Sequence, residues 1–404
     1  MPTETPTLPI SETLVAESDA DVSEILASAN ENATPVYPVG GGTSLGFGLP
    51  VKTAGVGLQL TGLDKVIDYP ARDMTITVGA GITIATLQEL LATEHQRLPI
   101  DAPDADQATL GGLIATNHSG PLRFGHGTMR DHVIGISAVD GRGMRFSAGG
   151  RVVKNVAGYD FCKLLTGSMG TLGVITEVTL KLKPVPQAAT TVCCAPRDLD
   201  HAEQLLSQLI DSGTSPASIE LLAGQGWSEV TQLGASPCGW LAVGLEGTHV
   251  EVEWMTEQLS KEWQGQGAHP ITLRDENHRS LQQTLINFPA DQSAAFVLKL
   301  TGVPSGVTRG IQALLEEESV SIQAHAGNGI VVAKFADSPS ISMSQWKSIT
   351  AQSHGCATVL SNPSGSEMTH HNVWGSADVP FDIMRRVKDT FDPNNILNPG
   401  RFVY

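Results

Sequence analysis

Cysteine is scarce in this chain. Among 404 residues there are five, Cys162, Cys193, Cys194, Cys238 and Cys356, and no C-x-x-C occurs. An odd count without that spacing argues against a disulfide framework and against a zinc or iron–sulfur site. The vicinal pair Cys193–Cys194 lies in a strand-like run and reads as structural. Basic residues are also few: 25 Lys and Arg stand against 42 Asp and Glu, a net charge of −17. Nucleic acid is therefore not an expected partner, because non-specific binding needs a basic surface. Charge-driven docking on anionic lipid is disfavoured for the same reason. There is no run of 18 apolar residues, so no membrane span is predicted. The opening MPTETPTLPI lacks the basic and apolar regions of a signal peptide. Two phosphate-binding signatures are missing as well. G-x-G-x-x-G fails at Gly40, because position 45 is Leu, and G-x-x-x-x-G-K fails at Gly41, because Phe47 stands where Lys is required.

Glycine is plentiful, at 42 residues. The loop Tyr37 to Gly48, YPVGGGTSLGFG, has five glycines in twelve residues and no Lys or Arg. Glycine reaches φ > 0 without steric cost, so backbone N–H groups can converge on one point. Such a nest holds a phosphate or pyrophosphate without a charged side chain; a surface turn is the alternative for the loop alone. Two more glycine-rich blocks follow, Pro103 to Gly127 and Lys154 to Ile175. In the second block Gly111–Gly112 lets the chain pass close to a flat ligand, and Asn117, Ser119 and Arg123 add polar handles. The alternative is a tight turn in a helical hairpin. In the third, Lys154, Tyr159, Asp160 and Lys163 are either a site or an ordinary ion-pair network.

The length allows two domains with a short third element. Asp21 to Ala29 reads as a capped helix, Val36 to Val39 as a strand entering the glycine loop, and Lys65 to Tyr69 and Met74 to Val78 as strands. Ile84 to Leu91 has helical spacing; Val133 to Val139 and Gly173 to Leu182 are further strands. KPVPQ, Lys183 to Gln187, is the expected domain boundary. Beyond it, helices at Asp198 to Ile210, Val250 to Glu262 and Val307 to Glu317 alternate with strands near Ile219, Leu241, Phe296 and Ile330. That rhythm predicts an antiparallel sheet covered by helices on one side. Asp382 to Phe391 is a last helix before a turn-rich tail.

GGGTS, then TLGGLIATNHSGPLRFG, then KNVAGYDFCKLLTGSMGTLGVIT, in that order, resembles the FAD-binding domain of the vanillyl-alcohol oxidase and cytokinin-dehydrogenase class of flavoproteins. The tail VWGSADVPFDIMRRVKDTFDPNNILNPGRF is similar to the E-subunit family of bacterial glycolate oxidase (glycolate dehydrogenase). The resemblance implies an α+β protein: a PCMH-type FAD-binding domain over 1–184, an α+β antiparallel-sheet cap over 185–375, and a segment 376–404 returning to the FAD domain. By the same resemblance Pro38, Gly40, Gly41, Gly42, Thr43 and Ser44 wrap the FAD pyrophosphate. Pro103, Gly111, Gly112, Ala115, Asn117, Gly120, Arg123 and Gly125 line the flavin and diphosphate. Gly173, Val174 and Ile175 meet the adenine end. Some members attach flavin through a histidine in the first loop. Thr43 stands there here, so non-covalent FAD is expected, and His118 is the one other candidate for a linkage.

Relatives that oxidise D-2-hydroxy acids carry H-x-H-x-G-D-G-N-x-H in the cap, where it holds a divalent metal. This chain has QAHAGNGIVVAKF from Gln323, keeping His325 but neither the Asp nor the later histidines. The companion G-E-H-G is replaced by TVLSNPSG from Thr358. No metal is therefore expected, and no catalytic residue is assigned; His325 and the pair His370–His371 read as structural. The resemblance implies an FAD subunit of a glycolate-oxidising complex, beside a paralogous flavin subunit and an iron–sulfur subunit. A small 2-hydroxy acid is the expected substrate. The cytoplasm is the expected location, with peripheral attachment at the inner membrane through partners left open. The rivals are a self-sufficient dehydrogenase of another 2-hydroxy acid and a non-catalytic scaffold with a vestigial flavin site.

Overall fold

The computed structural model describes residues 8–151, 158–227, 230, 233–234, 236, 238–290, 294–337, 339, 342–351, 355–362, 368–374 and 381–402. Lys154, positions 363–365 of the TVLSNPSG stretch, positions 375–380 of the tail and the last two residues lie outside this set.

The first helix runs Asp19–Glu31, longer than its apolar face requires, because Ser18 and Asp21 form a capping box. The Asp21 N–H donates to Ser18 Oγ (3.2 Å) and the Ser18 N–H to the Asp21 carboxylate (2.9 Å). It connects parallel strands in a three-stranded sheet ordered Ile10–Val15, Gly55–Gln59, Val36–Val39. Strands that run parallel in one sheet need such a crossover, here between the two strands flanking Gly55–Gln59. Val22 and Leu26 then pack with Val36, Leu58, Val139 and Val174. This cluster joins the parallel sheet to an antiparallel one of five strands: Val66–Asp68, Thr75–Gly79, Val174–Lys181, Val133–Val139, Arg145–Gly149. Met74 adopts the left-handed conformation (φ 53°), so its strand begins one residue later than the alternation suggests.

Beyond Pro184 eight strands form one antiparallel sheet, in the order Ile271–Leu273, Ala188–Cys194, Trp240–Gly247, Ser218–Gly224, Val320–His325, Ile330–Phe335, Phe296–Thr301, Cys356–Ser361. Side chains alternate between its faces. One face sends Leu221, Leu241 and Val243 into a core with Trp263, Ile311 and Trp346, beneath the helices Leu199–Asp211, His249–Gly265, Val307–Leu314 and Met343–Ala351. The other sends Leu222, Ala242 and Val332 against Leu281 and Leu285 of the helix Asp275–Asn287. Helices thus lie on both faces. The stripe Leu281–Leu285 is only two residues wide in a polar helix, which hid it from the periodicity. His370 and His371 belong to a short helix, His370–Trp374. Cys193 and Cys194 are both fully buried, and burial pushes the Cys194 thiol up to about 12.

Lys183–Pro184 is a paired crossing, not a loose linker: it lies antiparallel to Gln96–Arg97. Beside it Glu246, from the large sheet, pairs with Arg97 and lies 3.0 Å from His126 Nε2. Lys183 Nζ donates to His126 Nδ1 (2.9 Å), so the ring's proton sits on Nε2 and points at Glu246. Burial pushes the Glu246 carboxyl up, but the bonds from His126 and Arg97 outweigh it and hold it at about 2.

The helix Phe381–Phe391 ends the chain's last turn back toward the first sheet. Its Lys388 is buried, pairs with buried Asp392, and donates to the carbonyls of Thr171 (2.8 Å) and Leu397 (3.0 Å). Asp392 accepts from the N–H groups of Ile396 (3.0 Å) and Leu397 (2.7 Å). The tail so fixed runs beside Val36, whose N–H donates to the Ile396 carbonyl (2.7 Å). Removing one partner of a buried pair strands the other charge. Lys388→Met should therefore lower stability by about 3–5 kcal/mol in urea denaturation; an unchanged midpoint would show that the pair does not hold the tail.

Candidate active site

The strand Val36–Val39 delivers the glycine loop into a space with no room for side chains. A Cβ on Gly40 would stand 2.1 Å from Thr109 Oγ1, and one on Gly41 1.7 Å from the Gln107 carbonyl oxygen. Gly42 has φ +77°. Two of the three glycines thus serve close approach and the third serves chain direction. Thr109 caps the helix Leu110–Thr116, and the Gly111 N–H donates to the Ala80 carbonyl (2.7 Å). The Gly111–Gly112 pair therefore lies in the first turn of a helix, neither in a hairpin turn nor in a loop.

Two clefts meet at this loop. The smaller, about 870 Å³ with its open mouth, is lined by Pro38, Gly40, Gly41, Gly42, Thr43, Ser44, Gly111, Gly112, Ala115, Gly173, Val174 and Ile175, together with Asn398 and Arg401. The larger, about 1940 Å³, shares Gly42, Thr43 and Ser44 with it. Pro103, Asn117, Gly120 and Arg123 line its floor. Gly125 lines neither cleft. A Cβ there would meet Ala217 Cα at 2.8 Å, so Gly125 lets this segment pack on the large sheet. In the third block, Lys163 pairs with Asp160 three residues away (2.8 Å) and Tyr159 is exposed, an ordinary surface pair.

The roof of the larger cleft is the part of the second face of the eight-stranded sheet, beside the Leu281–Leu285 contact, that carries polar side chains. Register places Glu220 opposite His325, and Gln323 and Lys299 on either side of Val332. His325 Nδ1 lies 2.8 Å from Glu220 Oε1 and 3.0 Å from Oε2. Carboxylate oxygens accept, so Nδ1 carries a proton, and Nε2 is the ring nitrogen that Glu220 leaves unengaged. Gln323 Nε2 donates to the same carboxylate (2.8 Å). His325 is therefore a hydrogen-bonded histidine at the end of its strand whose imidazole also lines the cleft. Lys299 and Arg123 have no carboxylate within ion-pair distance among the described residues; Arg123 reaches only Ser119 Oγ (2.8 Å). Burial lowers the pKa of both; Asp131 partly offsets this at Arg123, whereas at Lys299 Cys356 opposes the shift and Arg123 adds to it. His118 is pushed down to about 4 by burial, with smaller contributions from His325 and Lys299, and its Nε2 has no partner. Asp101 is raised to about 7 by burial, against the hydrogen bond it accepts from the Leu122 N–H (2.7 Å).

A backbone cradle opening into a wider cleft with unpaired cations suits a dinucleotide that carries a diphosphate at one point and a flat ring beyond it. The comparisons with known proteins agree. Residues 11–149 match the FAD binding domain, and residues 305–402 match the C-terminal domain of FAD linked oxidases. The chain belongs to the FAD-linked oxidases. It is 27% identical to glycolate oxidase subunit GlcD of Bacillus subtilis over 94% of its own length and 86% of that protein's. Against glycolate oxidase subunit GlcE of Escherichia coli it is 34% identical over 42% of this chain and 48% of that one. In fold it is similar to alkyldihydroxyacetonephosphate synthase, with a TM-score of 0.68 at 19% identity, covering 96% of this chain and 76% of the other. The chain is an FAD-dependent oxidoreductase of a family acting on 2-hydroxy acids. Bound FAD supplies the two-electron acceptor; the residues described here bind, orient and balance charge. Among the described residues no three His, Cys, Asp or Glu side chains converge to hold a metal ion, and no helix is long and apolar enough to cross a membrane.

Glu220, Lys299, Asn398 and Arg401 were missed in the sequence. Glu220 and Lys299 did leave a trace: each is a single charge inside an apolar strand, SIELLAG and FVLKLT. Gly41→Val should abolish flavin retention on gel filtration, because its Cβ overlaps the Gln107 carbonyl; a variant that stays yellow would show that the loop is not the cradle. Asp101 supplies a pH test. Its unfolded pKa is near 4, so between about 4 and about 7 the folded state holds a proton that the unfolded chain has released. This group therefore stabilises the fold as pH falls through that window. Thermal melts of Asp101→Asn should show a shallower rise toward acid than wild type; parallel curves would contradict the raised pKa.

Proposed function

We propose that the chain is the FAD-binding subunit of a complex that oxidises glycolate to glyoxylate. A paralogous flavin subunit and an iron–sulfur subunit complete it. What supports this reading is the contrast between the two clefts: the glycine cradle is intact, whereas the cap keeps one histidine, His325, engaged by Glu220. A metal clamp on substrate needs several converging ligands. In this account the paralogous subunit performs the metal-assisted step, and the present chain contributes an FAD and an interface. FAD is held without a covalent bond, with Thr43 at the position where some relatives carry a histidine. Residues 1–184 bind FAD, 185–375 form the cap and 376–404 close on the FAD domain. The complex works in the cytoplasm, with the inner membrane reached through partners.

One observation favours a second reading, a self-sufficient dehydrogenase of a small 2-hydroxy acid. His325 offers its second ring nitrogen and Lys299 a cation to the same cleft, a set that can orient a hydroxyl and a carboxylate without metal. Anaerobic mixing with glycolate separates the two. The isolated chain should keep an oxidised flavin spectrum over minutes and bleach rapidly only with its partner subunits. Rapid bleaching of the chain alone, with some 2-hydroxy acid, would overturn the first reading in favour of the second.

A further inference from the structure

The glycine loop contains no basic residue, and a diphosphate carries two negative charges into its cleft. The chain brings a cation there from its far end. Arg401 lines the smaller cleft together with Gly40–Ser44. It is buried, and burial pulls its pKa down to about 10. Its Nη2 donates to the carbonyls of Leu45 (2.7 Å) and Phe47. No carboxylate lies within ion-pair distance of it among the described residues. A guanidinium out of water without a counter-charge is costly, and its remaining N–H groups stay available for an anion.

The approach is built from both sides. The Leu49 N–H donates to the Arg401 carbonyl (3.1 Å), and a Cβ on Gly48 (φ +94°) would stand 2.7 Å from that oxygen. Phe47 packs against Trp374 (5.3 Å between ring centroids), and Trp374 against Phe402 (4.8 Å). Asn398, also in the cleft wall, donates to the Met169 carbonyl (2.8 Å) at the third glycine block. One short segment thus ties two of the three glycine-rich blocks together around the cleft.

We infer that the C-terminal segment 398–401 is a cofactor clasp, in which Arg401 supplies the positive charge that the glycine loop lacks and sets the affinity for the diphosphate of FAD. Arg401 is a positioning residue for the loop and a direct electrostatic partner of the diphosphate. A purely structural role would hold the loop's shape and treat charged and neutral ligands alike.

ADP and adenosine distinguish these roles on the full-length, deflavinated chain. Calorimetric titration of wild type should show ADP binding more tightly than adenosine. Arg401→Gln, which keeps a donor for the loop carbonyls but no charge, should shrink that preference by about tenfold or more. It should weaken FAD by a similar factor and leave adenosine affinity within about twofold. Arg401→Lys should keep most of the preference for ADP. If Arg401→Gln does not fold, Arg401→Lys decides alone: a lysine variant that loses the preference overturns the charge role, and one that keeps it supports it. An Arg401→Gln chain with wild-type discrimination, or one that loses ADP and adenosine equally, overturns the inference.

Discussion

Positive charge without a carboxylate partner, buried at Arg401 and half-buried at Arg123 and Lys299, is the constraint on which both clefts depend. Elsewhere in this acidic chain the half-buried Arg97 is neutralised by Glu246, and the buried Lys388 by Asp392. Arg401, Arg123 and Lys299 are not, among the described residues, and all three face the joined clefts. Leaving a charge uncompensated in low dielectric costs stability, so the site is at its most favourable when anions fill it. The family supplies one such anion, the FAD diphosphate, and the class of reaction supplies the other, a small carboxylate. With a net charge of −17, the surface gives such ligands no long-range attraction, so local pairing inside the clefts has to provide it.

The glycines work with these cations and do not replace them. Gly40 and Gly41 bring the loop backbone within contact of Gln107 and Thr109, which fixes the direction of its N–H groups. Neutral dipoles fixed in this way cost little reorganisation when a charge arrives. The cations then come from distant parts of the chain: Arg123 from the second glycine block, Lys299 from the cap, Arg401 from the tail. Because the tail is itself held by the buried Lys388–Asp392 pair and by main-chain bonds to Val36, cofactor affinity and the packing of the last helix are coupled.

The glycine blocks were legible in sequence because close backbone approach has no other residue solution, and their order carried the family. The strands with clear alternation, Thr75–Gly79 and Val133–Val139, were legible for the same local reason. What could not be read locally depended on register across the large sheet. The strand Val320–His325 looked like a degraded metal motif; only its pairing with Ser218–Gly224 puts Glu220 against His325. Gly125 was assigned to the flavin by its place in a block, but its neighbour in space is Ala217, some ninety residues on. Arg401 followed an NPG turn, and nothing around it in sequence indicated that its guanidinium would reach back to Leu45.

The most direct test of this account is a crystal structure of the protein with FAD bound. The account predicts the diphosphate within hydrogen-bond distance of the N–H groups of the Gly40–Ser44 loop and of Arg401. The flavin ring should lie in the larger cleft, on the side facing Lys299 and His325. A diphosphate bound away from that loop, or a ring system occupying the smaller cleft, would contradict it.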